Sequence, residues 1–242
     1  TVDSYSLDRR KSWMADLEQT VESAKGRGYV TPSQLADHTM FEPAKPEDNA
    51  ESTEWNTARK GRGGTEIGSA VHGVLQDVDF DDHSNLDDLV LQAQDAYSLA
   101  DQQEWIATLV RNTLASPTIA RVTAENSWRE AWVAAEIAPG VEVEGSIDLL
   151  VRNEDGTVTI VDYKTDQVQG EDLQKRAAGY EPQLAGYALV LEKLGMPVRD
   201  AVLVFAAGAK DGAAFEYVVP NLEAAKIAAM NEAQAKAIVK VH

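Results

Sequence analysis

Apolar positions along this chain keep two different periods, and the change between them falls near Trp128. Ahead of it the spacing is helical. Leu7, Met14, Leu17 and Val21 predict a helix over residues 5–26. Residues 39–64, rich in Pro, Glu, Asn, Lys and Gly, read as a linker or mobile loop. A helix from about Thr65 to Leu75, an acidic loop, and long helical stretches between Asn85 and about Leu114 follow. From Trp128 onward the pattern is strand-like. Residues 128–137 and 141–153 flank Ala138-Pro139-Gly140, and Thr157–Thr165 follows the turn Glu154-Asp155-Gly156. Pro182 suits a first helical position and predicts the start of a helix that Gly195 and Pro197 close. Strands over 199–206 and 214–219 and an Ala-rich helix from about Asn221 to Val239 complete the chain. This order predicts an α/β fold, a mixed β-sheet flanked by helices, with an N-terminal helical region. The expected division is 1–60, helical segment and linker, and 61–242, the main domain.

Composition narrows the chemistry. The 242 residues suffice for one large α/β domain, and 44% hydrophobic residues argue against wholesale disorder. No apolar run approaches the roughly 18 residues a membrane span needs, and no signal-peptide pattern opens the chain. A cytoplasmic protein without membrane partners is the expectation. The first residue is Thr1, which suggests an excised fragment. With no cysteine, the chain has no disulfide, no cysteine nucleophile and no cysteine-ligated iron–sulfur cluster. Lys+Arg number 22 against 40 Asp+Glu, a formal charge of −18, which opposes nonspecific binding to nucleic acid. The charge is uneven. No Lys or Arg lies between Arg62 and Arg111, where Asp77, Asp79, Asp81, Asp82, Asp87 and Asp88 read as a solvated face. Basic groups sit at Arg9, Arg10 and Lys11, at Arg59, Lys60 and Arg62, and at Lys175 and Arg176. The five tryptophans, Trp13, Trp55, Trp105, Trp128 and Trp132, are expected in the core rather than as base-stacking surfaces.

The stretch 144–165 carries the chemistry. Its two strands are apolar on both faces, so Asp148, Asp162 and Lys164 stand out, because buried charges are costly unless paired or metal-bound. A three-residue loop Glu154-Asp155-Gly156, with glycine in the left-handed position, sets Asn153 against Thr157. The same register sets Asp148 across from Asp162, with Cβ atoms roughly 4.5–5.5 Å apart. Two carboxylates that close repel unless a cation lies between them. Lys164 projects from the same face as Asp162. This arrangement offers a hard-metal site edged by a lysine, or, alternatively, a strand-end ion pair.

Gly145-Ser146-Ile147-Asp148-Leu149-Leu150 followed by Ile160-Val161-Asp162-Tyr163-Lys164-Thr165 resembles the nuclease core of RecB-like enzymes in the PD-(D/E)XK superfamily. Gly68-Ser69-Ala70-Val71-His72-Gly73-Val74-Leu75, Arg129-Glu130-Ala131-Trp132 and Gln183-Leu184-Ala185-Gly186-Tyr187 resemble, in order, its histidine helix, its Glu-bearing strand and its Gln-x-x-x-Tyr helix. The resemblance spans about residues 61–206. It implies a restriction-endonuclease-like core in which His72, Asp148, Asp162 and the main-chain carbonyl of Tyr163 ligate Mg²⁺, with Mn²⁺ an alternative. Lys164 would position or activate the attacking water, Glu130 would join the catalytic group, and Gln183 and Tyr187 would contact DNA or brace Lys164. It further implies hydrolysis of DNA phosphodiesters, on single-stranded ends fed by helicase motor domains of the same polypeptide or complex, in double-strand-break repair and recombination. Gly61-Arg62-Gly63-Gly64 lacks the lysine of a phosphate loop, so this stretch shows no ATP motor. Two alternatives remain: a catalytically inactive nuclease-fold DNA-binding or scaffold module, and a free-standing restriction-type nuclease.

Overall fold

The computed structural model describes residues 28–36, 66–168 and 170–239. The helix expected over 5–26, the linker over 39–64, Trp13, Trp55 and the first two basic groups lie outside the described residues. Six strands, β1 Gly28–Val30, β2 Ser127–Ala138, β3 Val141–Arg152, β4 Val158–Lys164, β5 Val198–Lys210 and β6 Ala213–Val218, form one mixed sheet. The helices are α1 Pro32–Leu35, α2 Glu66–Asp77, α3 Leu86–Ala96, α4 Gln103–Leu114, α5 Glu171–Lys193 and α6 Leu222–Val239. None among the described residues is long and apolar enough to cross a membrane.

Strand alternation explains the layers. In β4 and β5, Ile160, Leu203 and Phe205 face α5 and α6, where Leu184, Leu191 and Ala229 are buried against them. Val161, Tyr163, Val202 and Val204 face α2, α3 and α4, meeting Val71, Leu75, Ile106 and Leu109. A sheet covered on both faces demands apolar residues at consecutive positions, and Val158–Tyr163 of β4 is buried throughout. The acidic residues from Asp77 to Asp88 are exposed, as a solvated face requires.

Sheet topology leaves a gap that positions the site. β2 runs antiparallel along one edge of β3, from Val141 to Val151. The other edge is shared: β1 pairs in parallel with Val141–Val143, and β4 pairs antiparallel with Leu149–Arg152. Among the described residues no strand covers residues 144–148 on that side. The edge there is met instead by α5, whose Tyr187 hydroxyl donates to the Ser146 carbonyl. Gly145 is what permits this approach, since a Cβ there would lie 3.1 Å from Pro32 Cδ and 3.2 Å from Tyr187 Cε1.

Two expectations need correction. The helix predicted to open at Pro182 begins at Glu171, and Pro182 lies inside it. An interior proline removes one backbone hydrogen bond at a cost of about 3 kcal/mol. Burial of Leu173, Ala177, Tyr180, Leu184 and Leu191 along one helix outweighs that. Glu171 and Asp172 in the first turn also suit the helix dipole. Trp128 and Trp132 are not core residues. They are 44% and 67% exposed, because β2 is an edge strand among the described residues. Trp105 does pack, partly buried, against the α2–α4 layer.

Candidate functional site

At the open edge the strands turn over. Ile147 faces the α5–α6 layer, yet Leu149, two residues on, faces the α2–α4 layer. β2 does the same between Ala131, packed on the α5–α6 side, and Arg129, whose guanidinium lies 4.0 Å over the Phe80 ring. Between them Glu130 adopts φ +45°, a left-handed conformation unfavourable for a residue with a side chain. The register Arg129↔Leu149 and Ala131↔Ile147 sets Glu130 opposite Asp148. The turnover releases both carboxylates from strict alternation, and groups from both helical layers converge on them.

His72, from α2, reaches Asp148 through Nδ1 to Oδ1 at 3.4 Å, and its Nε2 lies 3.1 Å from the Tyr163 carbonyl oxygen. Asp148 Oδ2 accepts the Tyr163 backbone N–H at 2.7 Å, which ends the β3–β4 ladder at Leu149↔Val161. The register expected from the hairpin holds up to that point: Asn153 N–H donates to the Thr157 carbonyl, and Gly156 takes φ +84°. Glu130 Oε2 accepts from the Ser146 hydroxyl at 2.8 Å. One ligand-type atom from each of His72, Glu130 and Asp148 lies within 4.8 Å of the others.

Asp162 stands beside this group and is held by other partners. Its Oδ1 accepts from Gln183 Nε2 at 2.8 Å, and its Oδ2 lies 2.7 Å from Lys164 Nζ, an ion pair without hydrogen-bond alignment. Lys164 Nζ also donates to Gln183 Oε1 at 3.3 Å. Gln183 and Tyr187 therefore do share one face of α5, as their four-residue spacing requires. The sequence set of His72, Asp148, Asp162 and Tyr163 is thus brought together, with Asp162 turned toward Lys164 and Glu130 turned toward His72 and Asp148.

Burial opposes charge on His72, Asp148, Asp162 and Lys164, and their neighbours decide the outcome. Burial would lower the His72 pKa, but the Asp148 carboxylate, with help from Asp162, raises it to about 9. For Asp148, burial is more than reversed by His72, Lys164 and the Tyr163 N–H, which leave it below the usual carboxylate range. For Asp162, burial and repulsion from Asp148 outweigh Lys164 and push it up to about 6. Burial would likewise lower the Lys164 pKa, but Asp162 and Tyr180 hold it raised. The site carries an excess of negative charge that collects positive charge around it.

That donor set fits a divalent cation. The carboxylates of Glu130 and Asp148, with Asp162 beside them, a main-chain carbonyl and one imidazole make an oxygen-rich set of the kind hard cations prefer. When bound, such an ion supplies Lewis-acid polarisation of a phosphoryl oxygen and an acidified water. Glu130, expected in the group from its motif, meets His72 and Asp148 through a left-handed backbone that nothing in Arg129-Glu130-Ala131 marks.

Tyr163 offers a separate test. Its backbone serves the site, while its hydroxyl is buried in the α2–α4 layer with no hydrogen-bond partner among the described residues. Leaving a buried polar group unpaired costs about 1–3 kcal/mol. Tyr163→Phe is therefore expected to raise the denaturant midpoint, and a lower midpoint would refute this account of the hydroxyl.

Similarity to known proteins identifies the family. The PD-(D/E)XK nuclease superfamily matches residues 50–241. An ATP-dependent helicase/nuclease subunit from Bacillus cereus is 32% identical over 178 residues, covering 61% of this chain and 14% of the relative. One of the same description from Bacillus thuringiensis is 31% identical over 181 residues, with the same coverage. The chain thus spans 14% of the length of these relatives. The crystal structure of SSO0001 superposes with a TM-score of 0.38 and 14% identity, over 72% of this chain and 74% of that one, a likeness too slight to carry an argument. With its helix-flanked six-stranded mixed sheet of restriction-endonuclease-like architecture, the chain belongs to the PD-(D/E)XK nuclease superfamily and is related to the nuclease part of helicase–nuclease subunits.

Proposed function

We propose that this chain is a divalent-metal-dependent deoxyribonuclease that hydrolyses phosphodiester bonds, using Mg²⁺ with Mn²⁺ as an alternative. The observation that carries the reading is the meeting of His72, Glu130 and Asp148 within 4.8 Å, beside an Asp162–Lys164 pair at 2.7 Å. His72, Asp148, Asp162 and the Tyr163 carbonyl hold the ion, and Glu130 completes the ligand group. Lys164 orients the attacking water and stabilises the developing charge, since its ammonium is fixed beside Asp162 at the edge of the site. Gln183 holds both members of that pair, and Tyr187 pins β3 through the Ser146 carbonyl.

The substrate we infer is DNA with single-stranded ends. The strand is delivered by helicase motor domains of the same polypeptide or complex, in cytoplasmic double-strand-break repair and recombination. Support comes from the description of the relatives and from the charge of −18, which suits a domain held to DNA by its motor better than a free binder. Residues 61–242 form the nuclease domain in this reading, with Gly28–Ala36 added to its sheet.

The test is cleavage of end-labelled single- and double-stranded DNA with Mg²⁺, Mn²⁺ or EDTA, comparing the parent with Asp162→Ala. Cutting is expected with either ion, none with EDTA, and none by the variant. A folded parent that neither cuts nor binds Mn²⁺ in calorimetry would overturn the proposal.

A further inference from the structure

The residue stripe on α5 continues beyond the Gln-x-x-x-Tyr pair. Arg176, Tyr180, Gln183 and Tyr187 follow one another at four, three and four residues, so they share one helical face. Each meets a different point of the site in chain order. Arg176 bonds Asp166, Tyr180 lies under Lys164, Gln183 bonds Asp162, and Tyr187 bonds Ser146. The nuclease reading assigns no task to the first two.

We propose that Tyr180 is a positioning residue for Lys164, its ring forming the seat that fixes the ammonium beside Asp162. The inference rests on the nuclease reading of the same site. Lys164 Nζ lies 4.1 Å from the centroid of the Tyr180 ring, close enough for a cation–π contact. A lysine side chain is a point charge on a flexible four-carbon stem, so a charge partner alone leaves several rotamers open. Asp162 and Gln183 hold the ammonium from one strand and one helix turn, at 2.7 and 3.3 Å. The ring closes the third direction.

The seat is itself braced. The Tyr180 hydroxyl donates to Asp166 Oδ2 at 3.3 Å, and Asp166 Oδ1 accepts from Arg176 Nε at 2.9 Å and lies 2.8 Å from its Nη2. The Arg176 guanidinium lies 4.8 Å from the centroid of the same ring, so the ring meets two cations. Tyr180 is 7% exposed, and its ring has little room to turn. Asp166 follows Lys164 by two residues, which ties the lysine's own strand end back to the helix that seats it.

The test uses the full chain, single-stranded DNA and Mg²⁺, with Tyr180→Phe, Tyr180→Leu and, should the leucine variant fold poorly, Tyr180→Met. Phenylalanine keeps the ring and is expected to hold kcat within about 2-fold. Leucine or methionine removes it and should lower kcat by about 10- to 100-fold at unchanged KM, the scale of a small misplacement of a reacting group. In ¹³C-lysine NMR spectra, assigned with Lys164→Arg, the Lys164 ε-methylene should be shifted upfield by the ring in the parent and in Tyr180→Phe, and lose that shift in the ring-free variants. Full kcat in a ring-free variant, or an equal loss in Tyr180→Phe, overturns the seat and leaves the nuclease reading standing. A parent that cuts with no divalent cation overturns both, and this is seen before any variant is made.

Discussion

Lys164→Ala is expected to cut DNA about 100- to 10,000-fold more slowly than the parent, the usual range for losing a positioned proton-handling group. The expectation follows from where the ammonium sits. Lys164 is 15% exposed and has Asp162 on one side and Gln183 on another, so no bulk-solvent cation replaces it easily. Its removal also strands the Asp162 carboxylate, which burial and Asp148 already push up to about 6. Breaking a buried pair from one side costs about 3–5 kcal/mol, so part of any loss could come from the fold. Lys164→Arg separates the two effects. It keeps the charge beside Asp162 but replaces a compact donor by a planar fork. Rapid-quench cleavage measured on folded variants is the assay. If Lys164→Ala folds and cuts at the parental rate, the lysine has no part in the chemistry.

The second large effect is on stability. Phe205→Ala should destabilise the domain by about 3–5 kcal/mol, the range for emptying a well-packed aromatic site. Phe205 is fully buried in β5, against the α5–α6 layer. It pairs with Lys164 of β4 on one side and with Phe215 of β6 on the other, and the two phenyl centroids lie 6.3 Å apart. For a chain of this size the loss corresponds to a fall in melting temperature on the order of 10 °C. Thermal and urea unfolding followed by circular dichroism measure it. A loss below about 1 kcal/mol would mean that the neighbours collapse into the space, contrary to the close packing described.

What could be read from the residues, and what could not, follows from how local each determinant is. The β3–β4 register was legible as far as Leu149↔Val161, because a short turn with Gly156 fixes it, and register fixes which side chains meet. Gln183 and Tyr187 were legible because helical spacing alone puts them on one face. The start of α5 was misread at Pro182, since a proline is a strong local sign and the burial that overrides it is tertiary. The exposure of Trp128 and Trp132 depends on β2 lying at an edge, which no local pattern announces. β1 is only Gly28–Val30, and its partner lies far along the chain, so periodicity had nothing to detect. Glu130 matched a family motif, but its left-handed backbone carries no residue-type signal.

The shared edge of β3 has a consequence for solubility. A long bare strand edge offers rows of N–H and C=O groups on which another chain can stack, the first step toward aggregation. Here the row is broken into short pieces by β1, the Tyr187 hydroxyl and β4, so among the described residues a foreign strand finds no continuous template. The opening that admits the candidate ligands is thereby also kept closed to misassembly.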